Sequence, residues 1–453
     1  MSVPDRTQAP APGEIRPFAF PRLERRRLAN GLTVIAARAG DLPLVTASLV
    51  VDAGAAADPA RKAGLANLTA LALETGTRSR SAEEVAWAFE SLGVEFEAEA
   101  TWDAASFRIT VPAGRLESAL ELFAEVVRSP VFPEHEVARL RDEQLAHILQ
   151  RRKEPRALAS DMAARFIFAP EVPYARPLVG TTASVEGLTR EDVEAFYRTH
   201  YLPNVSSLIL VGAIDIEEAE RLARLYFGDW PRGAAPATDF EVVRAVNQTT
   251  VYVVDRPGSV QSEIRIGDVG VERHHPDYFP LLVMNTILGG AFTSRLNLSL
   301  RERHGFTYGA RSGFAFRRRP GPFIVQVAVA TDVTARAVEE ALKEISLLRD
   351  MGATDEETAA ARDYLAGILP LELQTTEQIA ARIADIVIFD LPDSYFQDYR
   401  ATLATVTADD VLRVARTHLR GDRLAIVVIG DADQITEPLR ALGVGPVEVH
   451  RVE

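Results

Sequence analysis

The sequence has 453 residues, of which 47% are hydrophobic and 25% charged; these values exclude extended disorder and make the chain too long for one ordinary core. Its 50 Lys and Arg face 64 Asp and Glu, a net charge of −14 that argues against nucleic acid and favours basic or neutral partners. There is no Cys, which excludes disulfides, thiol catalysis and Cys-bound metal, and no apolar run approaches the length of a transmembrane helix.

In chain order, residues 1–20 hold four prolines and no apolar run of signal-peptide length, and read as a flexible arm. Cytoplasm is the default compartment, with the periplasm as the alternative if a leader was removed. Asn30-Gly31, set between Leu28 and the β-rich run Leu32 to Ala37, predicts a hairpin. A strand follows over 44–51, then a helix from Gly64 to Leu73 closed by Gly76. Ser81 opens the next helix, with Glu84 at the capping-box position and Val85, Ala88, Phe89 and Leu92 on one face. Residues 96–111 alternate like a strand pair around Trp102-Asp103, and helical spacing returns over 116–127, 134–150 and 276–288.

The ends of two halves align without a gap: LTREDVEAFYRTHYLPNVSSLILVGAID and VTADDVLRVARTHLRGDRLAIVVIGDAD. The pairs Asp192/Asp410, His200/His418 and Gly212/Gly430 share one offset, 418 − 200 = 218, the mark of a duplication. Pro, Gly and Ala concentrate between the copies. The expected division is a first half over 21–230, a linker over 231–240 and a second half over 241–453. Each half is predicted to be α+β, a mainly antiparallel sheet packed against helices, the two together enclosing a chamber.

The segment KAGLANLTALALETGT, Lys62 to Thr77, resembles the zinc helix of the pitrilysin-type peptidases. This is the inverzincin family, which includes insulin-degrading enzyme and the mitochondrial processing peptidase. There the helix carries His-x-x-Glu-His, because residues at i and i+4 share a face and bring both rings to one Zn²⁺, while the Glu activates its water. In that register the two His positions are Asn67 and Leu71, and the Glu position is Ala70. The third-ligand position, 80 residues past the first (147 − 67), is His147, which is either a ligand remnant or a polar residue on a solvated helix. One imidazole cannot supply three protein ligands, so no metal site is expected in this chain. His274-His275 reads as a surface loop, and His200 and His418 as residues serving a helix end built in both copies.

The segment LGGAFTSRLNLSLRERHGFTYGARSG, Leu288 to Gly313, resembles the family's C-terminal substrate motif, in which an Arg and a Tyr seven residues apart reach the scissile peptide. Arg301 and Tyr308 occupy those positions, and Gly289-Gly290 is the glycine pair expected at the chamber. Taken alone they would read as a helix-surface charge and a strand aromatic; the surrounding motif favours a role on substrate. A Tyr hydroxyl can donate to the oxyanion formed on water attack, and Arg offers fixed donors for a peptide carbonyl. A zinc motif erased and an Arg/Tyr pair kept resembles the zinc-less subunit of the family's two-chain peptidases. The resemblance therefore implies a heterodimer, or a homodimer, whose zinc-carrying homologous partner cuts peptides, this chain being inactive alone. The alternative is a non-enzymatic scaffold or peptide-binding protein of the same family.

Overall fold

The computed structural model describes residues 18–451, so residues 1–17 of the expected arm lie outside it. β1 (Glu24–Arg27) and β2 (Thr33–Arg38) form the hairpin at Asn30-Gly31, where Gly31 takes a φ of 94°. Then follow β3 (Leu44–Val51), α1 (Leu65–Ala72), α2 (Ala82–Leu92), β4 (Glu97–Ala100), β5 (Ala105–Pro112) and α3 (Leu116–Arg128). The first half continues with α4 (Glu134–Lys153), α5 (Pro155–Ile167), α6 (Thr182–Val185), α7 (Arg190–His200), β6 (Ser206–Gly212) and α8 (Ile216–Phe227). Its six strands run in the order β1-β2-β6-β3-β5-β4, and β2 with β6 is the one parallel pair.

The second half runs β7 (Thr250–Asp255), β8 (Gln261–Val269), α9 (Tyr278–Asn285), α10 (Arg295–Asn297), β9 (Ala310–Phe314) and β10 (Pro322–Ala330). Next come α11 (Thr334–Met351), α12 (Asp355–Ile368), α13 (Thr376–Ile388), α14 (Tyr395–Ala404) and α15 (Ala408–His418). β11 (Ala425–Gly430), α16 (Ala432–Ala441) and β12 (Val447–Arg451) complete the described chain. The second sheet, β12-β7-β11-β8-β10-β9, repeats the first with one change. The edge place of β1, an antiparallel hairpin partner, is taken by the C-terminal β12, which lies parallel to β7.

Local chemistry explains the repeat. Thr189 with Asp192, and Thr407 with Asp410, each form a reciprocal capping box that satisfies the first N–H groups of α7 and α15. Each helix leads into a strand buried along its whole length, β6 or β11, which accounts for their unbroken apolar runs.

One face of each sheet is covered by helices of its own half. The other face is covered by a helix from the opposite half. Ala380 and Ile383 of α13 pack with Ile35, Val50, Ile209 and Val211 of the first sheet. Leu158, Ala159 and Ala163 of α5 pack with Val254, Val427 and Ile429 of the second. Each fully buried aliphatic contributes about 1.5–3 kcal/mol, so the exchange joins the halves through core rather than through a surface contact. The β9–β10 turn adds a polar clasp. Arg318 donates from its backbone to Asp103 at 3.2 Å and from Nε to the carbonyl of Ile388 at 2.7 Å. The neighbouring Arg317 lies 3.7 Å over the Trp102 ring.

Candidate functional site

The helix that resembles a zinc helix, α1, starts at Gly64 with a φ of 96°. A Cβ there would stand 2.7 Å from both Gln144 Nε2 and the Val179 carbonyl oxygen, so only glycine fits this left-handed, crowded cap. The cap is completed by Asp58, whose two carboxylate oxygens accept from the backbone N–H of Gly64 and of Ala66, each at 2.8 Å. Burial pushes the Asp58 carboxyl up to about 7, against the lowering effect of those bonds and of Arg176.

Asn67 and Leu71 are half-buried and Ala70 is buried. Asn67 Nδ2 donates to Gln144 Oε1 at 3.1 Å, and Gln144 Nε2 donates to the carbonyls of Gly64 and Val179 at 3.1 and 2.8 Å. The partner of Asn67 on α4 is thus Gln144, one turn before His147. His147 itself is exposed, with no hydrogen bond or ion pair among the described residues. The residues present do not fit zinc: one position is an amide bonded to another amide, one has no donor atom, and the remaining imidazole faces solvent.

The second motif is built on a different principle. α9 runs into a π-helical turn, Thr286–Gly290, and Gly289 comes so close to β9 that a Cβ would lie 2.5 Å from the backbone nitrogen of Ser312. Asn285 and Ser312 lock this approach, Nδ2 donating to the Ser312 carbonyl at 3.1 Å and the Ser312 hydroxyl to Oδ1 at 2.7 Å. Asn297 then ties the loop's two ends, donating to the Ala291 carbonyl at 3.2 Å and accepting from Ala310 N–H at 2.9 Å. On this scaffold Tyr308 projects with 98% of its surface exposed. It borders a cavity of about 670 Å³ together with Gly289, Gly290, Phe292 and Arg311, and Ser160 of α5 contributes a wall from the other half. Arg301 stands on a further π-helical turn, Leu298–Arg303, with its guanidinium 4.3 Å over the Phe292 ring. Its Nη1 is buried without a partner, and no hydrogen bond joins it to Tyr308 among the described residues. The arrangement leaves the Tyr308 O–H open at the cavity, with Arg301 behind it, stacked on the cavity-lining Phe292 and 3.6 Å from Glu302 through Nε.

The fold also gathers a cluster that the spacing of the histidines concealed. His418, at the end of α15, bonds Asp277 through Nε2 at 2.9 Å, and its ring meets that of His275 edge-on at 5.2 Å. Arg413 donates to the other oxygen of Asp277 at 2.7 Å. The ligand atoms of His275, Asp277 and His418 lie within 4.8 Å of one another. Burial lowers the His418 pKa against the pull of Asp277, while His418 and Arg413 hold the Asp277 carboxyl below its ordinary range. With both carboxylate oxygens engaged, one by an Arg, the group is a polar clasp between α9 and α15. Only the offset of 218 (418 − 200) pointed toward it, by placing His418 at a helix end.

Comparison with known proteins decides the family. Residues 33–181 match the family described as Insulinase (Peptidase family M16), and residues 187–365 match the description Peptidase M16 inactive domain. The chain belongs to peptidase family M16. It is 26% identical to an uncharacterized zinc protease of Streptomyces coelicolor, over 94% of this chain and 92% of that one. It is 25% identical to a probable mitochondrial-processing peptidase subunit beta of Schizosaccharomyces pombe, over 92% and 93%. Among solved structures, a peptidase M16 inactive domain from Pseudomonas fluorescens superposes with a TM-score of 0.84 at 28% identity, covering 90% of this chain and 98% of that one. A protease from Helicobacter pylori shares the fold with the same TM-score, 0.84, at 18% identity, over 91% and 100%. This M16 chain thus keeps the family fold, and α1, with Asn67, Ala70 and Leu71, lies within the matched residues 33–181. No helix among its described residues is long and apolar enough to cross a membrane.

Proposed function

We propose that this chain is the zinc-less subunit of a two-chain M16 metallopeptidase, contributing Arg301 and Tyr308 to substrate while a homologous partner chain supplies the intact zinc motif. The observation that carries the reading is the contrast between two motifs on one chain. The α1 face is closed by the Asn67–Gln144 amide bond. Tyr308 is left 98% exposed at the edge of a cavity. A large aromatic held in solvent on a pinned loop contributes nothing to this chain's own core, which favours a task toward a bound molecule.

In this reading an extended peptide lies along the cavity, Arg301 donates to its backbone carbonyls, and the Tyr308 hydroxyl donates to the oxyanion that develops when the peptide is cut. Gly289 and Gly290 let the loop and β9 approach closely enough to set that geometry. The scaffold or peptide-binding alternative is favoured by the erased α1 motif alone, and predicts no dependence of any activity on Tyr308.

The test is co-purification with an M16 chain bearing His-x-x-Glu-His, followed by peptide cleavage and zinc analysis. The pair should cleave, each chain alone should not, and Tyr308→Phe should lower turnover about 10²-fold with the zinc content of the pair unchanged. Wild-type turnover in that variant would remove Tyr308 from the mechanism.

A further inference from the structure

A second cavity, of about 560 Å³, shares no lining residue with the one beside Tyr308 and lies where α4, α5, the loop before α6 and β12 meet. Its charge runs against the rest of the molecule. In a chain of net charge −14, this one cavity is lined by Arg151, Arg152, Arg165, Arg176 and Arg451, with Asp161 as its single carboxylate. Asp161 pairs with Arg151 at 2.7 Å. Arg176 is half-buried near Asp58, whose burial raises its carboxyl to about 7, so at neutral pH that group only partly offsets the guanidinium. Arg165 and Arg451 are exposed at the cavity and form no hydrogen bond or ion pair with a described residue.

The cavity is a shaped site rather than a charged surface. Leu158 and Met162 of α5 and Ile148 of α4 give it an apolar wall. Its β12 side is fixed by aromatic packing: Phe166 stacks on Tyr252 at 3.9 Å, and the His450 ring, next to Arg451, lies 4.9 Å from Phe166. Val179 and Gly180, which line the cavity, also crowd the cap of α1, and Ile148 sits on the α4 turn that follows Gln144. The basic cavity therefore adjoins the α1 motif face directly.

We propose that this cavity binds an acidic segment of a peptide, its carboxylates held by the Arg side chains and its aliphatic portions by the α4–α5 wall. Planar guanidinium groups match carboxylates with two parallel hydrogen bonds, and a partly apolar wall suits a polypeptide better than a small hydrated anion. The volume, several times that of one carboxylate, accommodates more than one residue. The inference rests on the reading of the chain as peptide-binding, and it reverses the preference for basic partners that net charge alone suggests. Net charge reports the sum and not where the charges lie.

The test uses the full chain and three fluorescein-labelled 12-residue peptides, one Glu-rich, one Ser-rich and one Lys-rich, read by fluorescence anisotropy. The Glu-rich peptide should bind at least about tenfold tighter than the other two, and its binding should weaken with salt, as solvent-facing charge pairs do. Arg165→Glu combined with Arg451→Glu, both exposed positions, should lower binding of the Glu-rich peptide about tenfold or more and leave the Ser-rich peptide and the melting temperature unchanged. Ser-rich or Lys-rich peptides binding as well as the Glu-rich one would overturn the acidic preference while leaving peptide binding intact. Retention of Glu-rich binding by the double variant would overturn the location. Failure of all three peptides to bind would overturn both this inference and the peptide-binding reading beneath it.

Discussion

Asn67 and Gln144 form an amide–amide hydrogen bond of 3.1 Å between α1 and α4. The bond makes this face of α1 a packing contact, and Gln144 extends it to the carbonyls of Gly64 and Val179. The wild-type chain should therefore keep no zinc through dialysis. The fourfold variant Asn67→His, Ala70→Glu, Leu71→His, Gln144→Glu should take up about one equivalent, since the two His share one helix face and the side chain at 144 already meets position 67. Metal analysis decides it, and zinc retained by the wild type but lost in Asn67→Ala would refute the reading of α1.

Asp58 links the same helix to pH. Its carboxyl titrates at about 7 in the folded chain, raised chiefly by burial, whereas an unfolded Asp titrates near 4. Between those values the folded chain binds more protons than the unfolded one, so this group's contribution is complete below about pH 4 and declines as pH rises toward 7. Asp58→Asn removes the slope. The stability of wild type minus variant should fall by up to about 4 kcal/mol across that window, at 1.36 kcal/mol per unit. Urea titrations from pH 4.5 to 8 measure it; a difference that grows with pH would contradict the assignment.

The exchanged helices make the two sheets one folding unit. Ile383, fully buried on α13, fills the back of the first sheet although it belongs to the second half of the chain. Ile383→Ala should cost about 2–4 kcal/mol, and Leu158→Ala on α5 a similar amount. In each variant both sheets should melt in a single transition at a lower temperature. Two separate calorimetric transitions would show that the exchange does not couple them.

Phe292 is 69% exposed and is the face on which the Arg301 guanidinium rests, 4.3 Å from its centroid. Such a contact is worth about 0.5–1 kcal/mol at an exposed site. Phe292→Ala should leave the melting temperature unchanged and, in the proposed two-chain enzyme, lower kcat/KM about threefold by releasing Arg301. A loss of stability without a kinetic effect would make the stack purely structural.

Periodicity and turn chemistry were enough to read the hairpin at Asn30-Gly31, the capped helix from Ser81 and the duplicated helix–strand ends, because each is specified within a few residues. The exchange of α5 and α13 was not legible. An amphipathic helix shows that it must bury a face, and not which sheet it buries it against. The partner of Asn67 was not legible for a related reason: the 80-residue spacing (147 − 67) singled out His147, which lies exposed on α4, and nothing in the local pattern showed that Gln144 is the residue α4 turns toward Asn67. The His275–Asp277–His418 clasp lies between residues some 140 positions apart, and no local pattern announces such a contact.

Tyr308 has almost no surface in contact with its own chain. Its ring keeps its rotational freedom and its hydration in the chain alone, and both are given up only when something closes over it. The attraction of dehydrating an aromatic ring is thereby held in reserve for the encounter itself. Under the proposed two-chain function, a defect at this position escapes any screen that sorts variants by folding, solubility or yield, and surfaces only in a measurement made with the partner and the peptide present.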